Sequence, residues 1–139
     1  MLPDTRDTTE DETDAAMLKV LHIEDDPGFA RAVARLLRTQ GYEVFSAATG
    51  AEAVQAVENG LVPDVILADY HLPCEMTGDQ VVAEITTRLG FRPPTIILAS
   101  VESPNVKKVM AVADRIFEKP VDMLLVLREI QRLLSARKQ

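Results

Sequence analysis

The chain has no tryptophan, a single cysteine and no long apolar run. One cysteine, Cys74, excludes an internal disulfide and supplies no thiolate spacing for a metal. It fits a reducing, cytoplasmic setting and is read as an ordinary loop residue. Hydrophobic residues make up 47% of the chain, yet none of their runs approaches the roughly 18 residues that a membrane span requires. Basic residues are also scarce, 15 against 22 acids. Nothing offers the basic face that binding to a phosphate backbone demands, which excludes nucleic acid as a partner.

The acids are unevenly placed. Residues 1–16 hold Asp4, Asp7, Glu10, Asp11, Glu12 and Asp14 against one base, Arg6, a net charge of −5, so the remainder carries only −2. So polar a lead cannot bury enough apolar surface to offset its ordering entropy, and disorder is expected for it. It lacks the basic start and apolar centre of a signal peptide. The remaining residues, 17–139, are long enough for one domain.

What is present is alternation. Segments 18–23, 42–47, 65–68, 95–99 and 114–118, rich in strand formers, predict five strands. Between and after them, apolar residues at helical spacing predict helices over 27–40, from Thr49 to Asn59-Gly60, from Thr77 to Gly90, from Ser103-Pro104 to about Val112, and over 121–136. Asp26 before Pro27 is a candidate cap, and Thr49…Glu52 and Thr77…Gln80 have the form of capping boxes. Basic Arg132, Arg137 and Lys138 suit the C-terminal end of the last helix. Strands alternating with helices give an α/β fold, a doubly wound five-stranded parallel sheet with helices on both faces.

Run 65–68 has no polar alternation, as expected of a central strand buried on both sides, and it ends at Asp69. In open α/β sheets ligands bind beyond the carboxyl ends of the strands. Four strands place polar groups there: Glu24 and Asp25, then Asp69, then Ser100, then Lys119 followed by Pro120. Carboxylates gathered at about 4 Å repel by about 4 kcal/mol per pair at an effective dielectric near 20. A divalent cation would offset that repulsion, and Mg²⁺ accepts few carboxylates, retained waters and phosphate oxygens.

The order acid pair, aspartate, hydroxyl, lysine-proline resembles the response-regulator receiver domain of two-component phosphorelays, over about residues 17–137. The stretch Asp69-Tyr70-His71-Leu72-Pro73 with a downstream Gly78 is similar to receivers attached to hybrid histidine kinases. The resemblance implies a flavodoxin-like strand order 2-1-3-4-5. It implies that Asp69 takes a phosphoryl group from a phosphohistidine of a histidine kinase or histidine phosphotransfer protein. Mg²⁺ would be held by Asp25, Asp69, the His71 backbone carbonyl and, through water, Glu24. Ser100 and Lys119 would bind phosphoryl oxygens, and the Lys119-Pro120 bond would be cis. The resemblance implies no enzyme toward a separate substrate, but a chain expected to catalyse its own phosphorylation and dephosphorylation.

Two departures bear on output. Ile116 stands where the family carries an aromatic, with Phe117 next to it, and the interval from Ser100 to Lys119 is short, implying a clipped fourth helix. Met123 to Leu127 are apolar in succession, more than one sheet can cover, so the fourth and fifth helix surface is expected to meet an effector or a second copy. His22, within the first strand, is read as a packed or paired sheet residue. The alternatives are a pseudo-receiver that binds partners without phosphorylation and an aspartate-nucleophile phosphohydrolase. The latter normally carries a second acid where His71 stands. A flavin module is disfavoured by the absent tryptophan and by the lack of a phosphate-cradling loop after the first strand.

Overall fold

The computed structural model describes residues 17–73, 76–100 and 106–137. The expected disorder of 1–16, the surroundings of Cys74 and the start of the fourth helix at Ser103-Pro104 lie outside those residues. Five strands, β1 (Lys19–Ile23), β2 (Glu43–Ala47), β3 (Val65–Asp69), β4 (Thr95–Ala99) and β5 (Arg115–Glu118), alternate with helices α1 (Pro27–Thr39), α2 (Gly50–Glu58), α3 (Gly78–Leu89), α4 (Val106–Met110) and α5 (Met123–Arg137). All four strand pairings are parallel and the order is β2-β1-β3-β4-β5. The expected fold class and strand order are both present.

Successive strand residues point to opposite faces, which divides the apolar residues into two layers. Val20, Leu67, Ile96, Leu98 and Phe117 pack with Val33 and Leu37 of α1 and Val126 and Ile130 of α5. Leu21, Ile23, Ile66, Ala68 and Ile97 pack with Ala53 and Val57 of α2, Val82 and Ile85 of α3 and Val109 of α4. β3 and β4 are buried at every position. A fully buried Ile or Leu contributes about 1.5–3 kcal/mol, so the middle of the sheet anchors the residues at its ends.

The ends of the helices follow from local chemistry. Asp26 Oδ1 accepts from the backbone N–H groups of Gly28 and Phe29, at 2.9 and 3.3 Å, and Pro27 follows where its missing N–H costs nothing. At α2 the expected capping box is altered. Thr49 Oγ1 accepts from Glu52 N–H at 3.1 Å, but Glu52 reaches one residue further back, to Ala48 N–H at 3.0 Å. At α3, Thr77 N–H donates to Gln80 Oε1 at 3.0 Å. Gly90 ends α3 with φ of 83°, a conformation costly to residues bearing a Cβ.

Arg137 lies in the last turn of α5, as expected, and Lys138 lies outside the described residues; of the three expected bases, the two described also pair with acids. Arg132 pairs with the buried Glu129, which Arg115 also meets, and Arg137 pairs with Asp64 at 2.9 Å. α4 is described over Val106–Met110, directly after residues outside the described ones, so the expected clipping of the fourth helix is not tested there. β2 and β5 form the sheet edges, and both present charge, with Glu43, Arg115 and Glu118 exposed.

Candidate metal and phosphoryl site

Because the five strands run parallel, their last residues share one rim, and the functional side chains emerge there. Asp69, at the end of β3, is 3% exposed. Its Oδ2 accepts from Lys119 Nζ at 2.8 Å and its Oδ1 from His71 N–H at 3.2 Å. Lys119 reaches it from just beyond β5, where its own N–H donates to Ala99 O at 2.9 Å. The Lys119-Pro120 bond is cis.

Glu24 and Asp25 enter from β1. Glu24 N–H is tied to Ala47 O at 2.9 Å, and Glu24 Oε2 accepts from Asp26 N–H at 3.1 Å. Its Oε1 is buried with no hydrogen-bond partner. Burial pushes the Glu24 carboxyl up; the Asp26 N–H opposes this, while the Asp69 charge adds to it. One carboxylate oxygen each from Glu24, Asp25 and Asp69 lie within 4.8 Å of one another. A buried carboxylate oxygen without a donor is costly. Three carboxylate oxygens facing one space, one of them without a donor and with one lysine nearby, form a donor set that suits a hard divalent cation.

His71 and Ser100 stand next to each other on this rim. Asp69 is paired with Leu98 in the sheet, so the residues two further along each chain are opposed. His71 Nε2 lies 3.2 Å from Ser100 Oγ, and the His71 ring meets Tyr70 edge-on at 5.0 Å. Sequence reasoning gave His71 a role for its main chain only. The side-chain contact becomes legible once the β3–β4 register is known.

Gly78, named above only for the resemblance, shapes the site through its backbone, and His22 lies where the Lys119 charge is felt. Gly78 N–H donates to Tyr70 O at 2.8 Å, and a Cβ on Gly78 would stand 2.3 Å from Asp69 O. The start of α3 therefore presses against the backbone of Asp69, an approach open only to glycine. His22 lies on the α1 side of β1, wholly buried, with neither ring nitrogen hydrogen-bonded. It is packed rather than paired, edge-on to Phe29 with ring centroids 6.2 Å apart. Burial, with the Lys119 charge adding to it, lowers its pKa to about 4.

Ile116 and Phe117 divide between the two layers. Ile116 packs against the layer containing α4, whereas Phe117 faces α1 and α5 beneath the Arg115 guanidinium, 4.5 Å from the ring centroid. A one-residue offset in a strand reverses the face, so Phe117 does not replace the aromatic missing at 116. On α5, Leu124 and Leu125 are 67% and 47% exposed, as the apolar run implies.

The arrangement has known counterparts. The model of the response regulator receiver domain matches residues 20–131. The transcriptional regulatory protein KdpE of Mycobacterium tuberculosis is 34% identical over 110 residues, 77% of this chain and 46% of that protein. The chain thus spans about half the length of that curated relative. Among solved structures, the N-terminal domain of a response regulator/sensory box/GGDEF protein from Carboxydothermus hydrogenoformans is 30% identical, with a TM-score of 0.77 over 86% of this chain and 96% of that one. The chemotaxis protein CheY4 of Vibrio cholerae is 33% identical, with a TM-score of 0.74 over 85% and 99%. No described helix is long and apolar enough to cross a membrane. By sequence pattern, strand order and the convergence of acids and lysine on one rim, this chain belongs to the response-regulator receiver domain family.

Proposed function

We propose that residues 17–139 form a phosphoacceptor domain in which Asp69 takes a phosphoryl group from a phosphohistidine, with residues 1–16 lying outside that unit. The observation that carries this reading is the Asp69 carboxylate held 2.8 Å from Lys119 Nζ, with carboxylate oxygens of Glu24 and Asp25 within 4.8 Å. An Asp69 oxygen forms the new bond to phosphorus as the phosphorus–nitrogen bond of the donor breaks. The electron pair of that bond returns to the donor imidazole. Lys119 loses its carboxylate partner in the process and is free to meet the phosphoryl oxygens.

Asp25, Asp69 and the His71 carbonyl would hold Mg²⁺, with Glu24 acting through water and its orphaned Oε1 offering an acceptor. Bound there, Mg²⁺ would neutralise charge on the transferring group. Ser100 would bind a phosphoryl oxygen in exchange for its contact with His71. The domain acts on itself rather than turning over a separate substrate, and its working place is the cytoplasm. Donors are a histidine kinase or histidine phosphotransfer protein. The signal leaves through the α4 and α5 surface, where Met110, Leu124 and Leu125 are exposed, toward an effector protein or a second copy.

Intact-mass measurement after exposure to acetyl phosphate tests the chemistry without the cognate donor. One phosphoryl adduct is expected with Mg²⁺, little without it, and none in Asp69→Asn. An adduct retained in Asp69→Asn refutes the assignment of the acceptor.

A further inference from the structure

α1 carries three arginines and no acid. Arg31, Arg35 and Arg38 recur at spacings of four and three, so they share one face of the helix. That face borders a groove of about 950 Å³ that α1 forms with β2 and the start of α2. Arg88, Arg92, Arg115, Arg132 and Arg137 each hold a carboxylate. Among the described residues Arg31, Arg35 and Arg38, and Arg128 alone on α5, hold none, and Arg38 donates only to Val44 O at 3.4 Å. Between the arginines the groove is walled by Ala30 and Ala34, which leave room for a backbone to approach.

The arginines lie beside the point where the chain enters the fold. Leu18 O accepts from Glu43 N–H at 2.9 Å, one residue before the carbonyl that Arg38 meets. The stretch before it, residues 4–14, contains six acids. At about 3.3 Å per extended residue, that stretch exceeds the length of α1, about 20 Å at 1.5 Å per residue. Glu24, Asp25 and Glu52 line the far end of the groove and repel further acids, which sets where such a segment must stop.

We propose that the acidic segment 4–14 of this chain docks in cis along the α1 groove, its carboxylates against Arg31, Arg35 and Arg38. Tethering places the segment at an effective concentration on the order of millimolar, so individually weak ion pairs suffice. The contact covers the flank of α1 next to Asp25 and, on the phosphoacceptor reading of the site, competes with a partner approaching Asp69.

The test uses the full-length chain in a Cys74→Ser background, with a nitroxide on Thr9→Cys, and needs no phosphodonor. At about 0.01 M salt, where charges act over about 30 Å, amide signals of α1 and of Ser46 to Ala48 are expected to broaden at least about threefold relative to the reduced label. The broadening should disappear at about 1 M salt and in Arg31→Gln/Arg35→Gln. No broadening, broadening centred elsewhere, or equal broadening of an unlabelled ¹⁵N chain mixed with a spin-labelled ¹⁴N chain overturns the proposal. The last outcome assigns the groove to a second copy or an external acidic partner. Because the readout is independent of phosphorylation, its failure leaves the reading of Asp69 untouched.

Discussion

The two ends of the sheet treat carboxylates in opposite ways. At the amino ends of the strands, Asp64 accepts from Lys19 N–H and Arg137, and Asp114 accepts from the two terminal Arg92 nitrogens and Thr95 N–H. Burial pushes the Asp114 carboxyl up, but the Arg92 and Thr95 hydrogen bonds outweigh it and hold the group below the usual carboxylate range. At the carboxyl ends, Glu24, Asp25 and Asp69 stand together with one lysine, which pairs with Asp69, and a buried oxygen of Glu24 has no donor at all. The first arrangement consumes its charge in holding elements together. The second leaves charge uncompensated, which costs stability and, on the proposed reading, is what a cation and a phosphoryl group would offset.

The largest expected effect comes from His22, beneath the uncompensated end. Its folded pKa of about 4 lies below the ordinary 6.5, so between those values the unfolded chain takes up a proton that the folded chain refuses. Stability is therefore expected to fall as pH drops below about 6.5, by up to about 3 kcal/mol near pH 4. The Glu24 carboxyl, pushed up by burial, works in the other direction. Comparing urea unfolding of the native chain with His22→Leu across this range isolates the imidazole, and equal slopes would remove it from the account.

At the satisfied end, Asp114→Ala strands Arg92 and the Thr95 N–H. Because Asp114 is partly exposed, the full penalty for breaking a buried pair is discounted. A loss of about 2 kcal/mol is expected in urea unfolding, with no change in labelling by acetyl phosphate. The smallest effect has the opposite sign. Asp25→Asn should raise the melting temperature of the Mg²⁺-free protein slightly while abolishing any further rise on adding Mg²⁺. If both substitutions lower stability alike, the contrast between the two ends fails.

The alternation of apolar runs made the sheet and its helices legible to within a few residues, because β3 and β4 are buried at every position and the glycine, proline and capping signals between elements are strong. Glu24, Asp25, Asp69, Ser100 and Lys119 were legible as an ordered set at strand ends. Partnerships across the sheet were not. The contact of His71 with Ser100, the approach of Gly78 to Asp69 and the pairing of Arg92 with Asp114 depend on register and on backbone separation, and neither leaves a local pattern. Arg132 shows the same limit: its place near a helix end was legible, but its pairing with Glu129, three residues earlier, was not.

The outer strands also constrain how copies can associate. β2 and β5 are short and carry Glu43, Arg115 and Glu118 outward, so extending the sheet from one molecule into the next would crowd charge along the seam. Ordered growth into a continuous ribbon is disfavoured, which leaves the sides of helices as the natural meeting ground in a crowded cell.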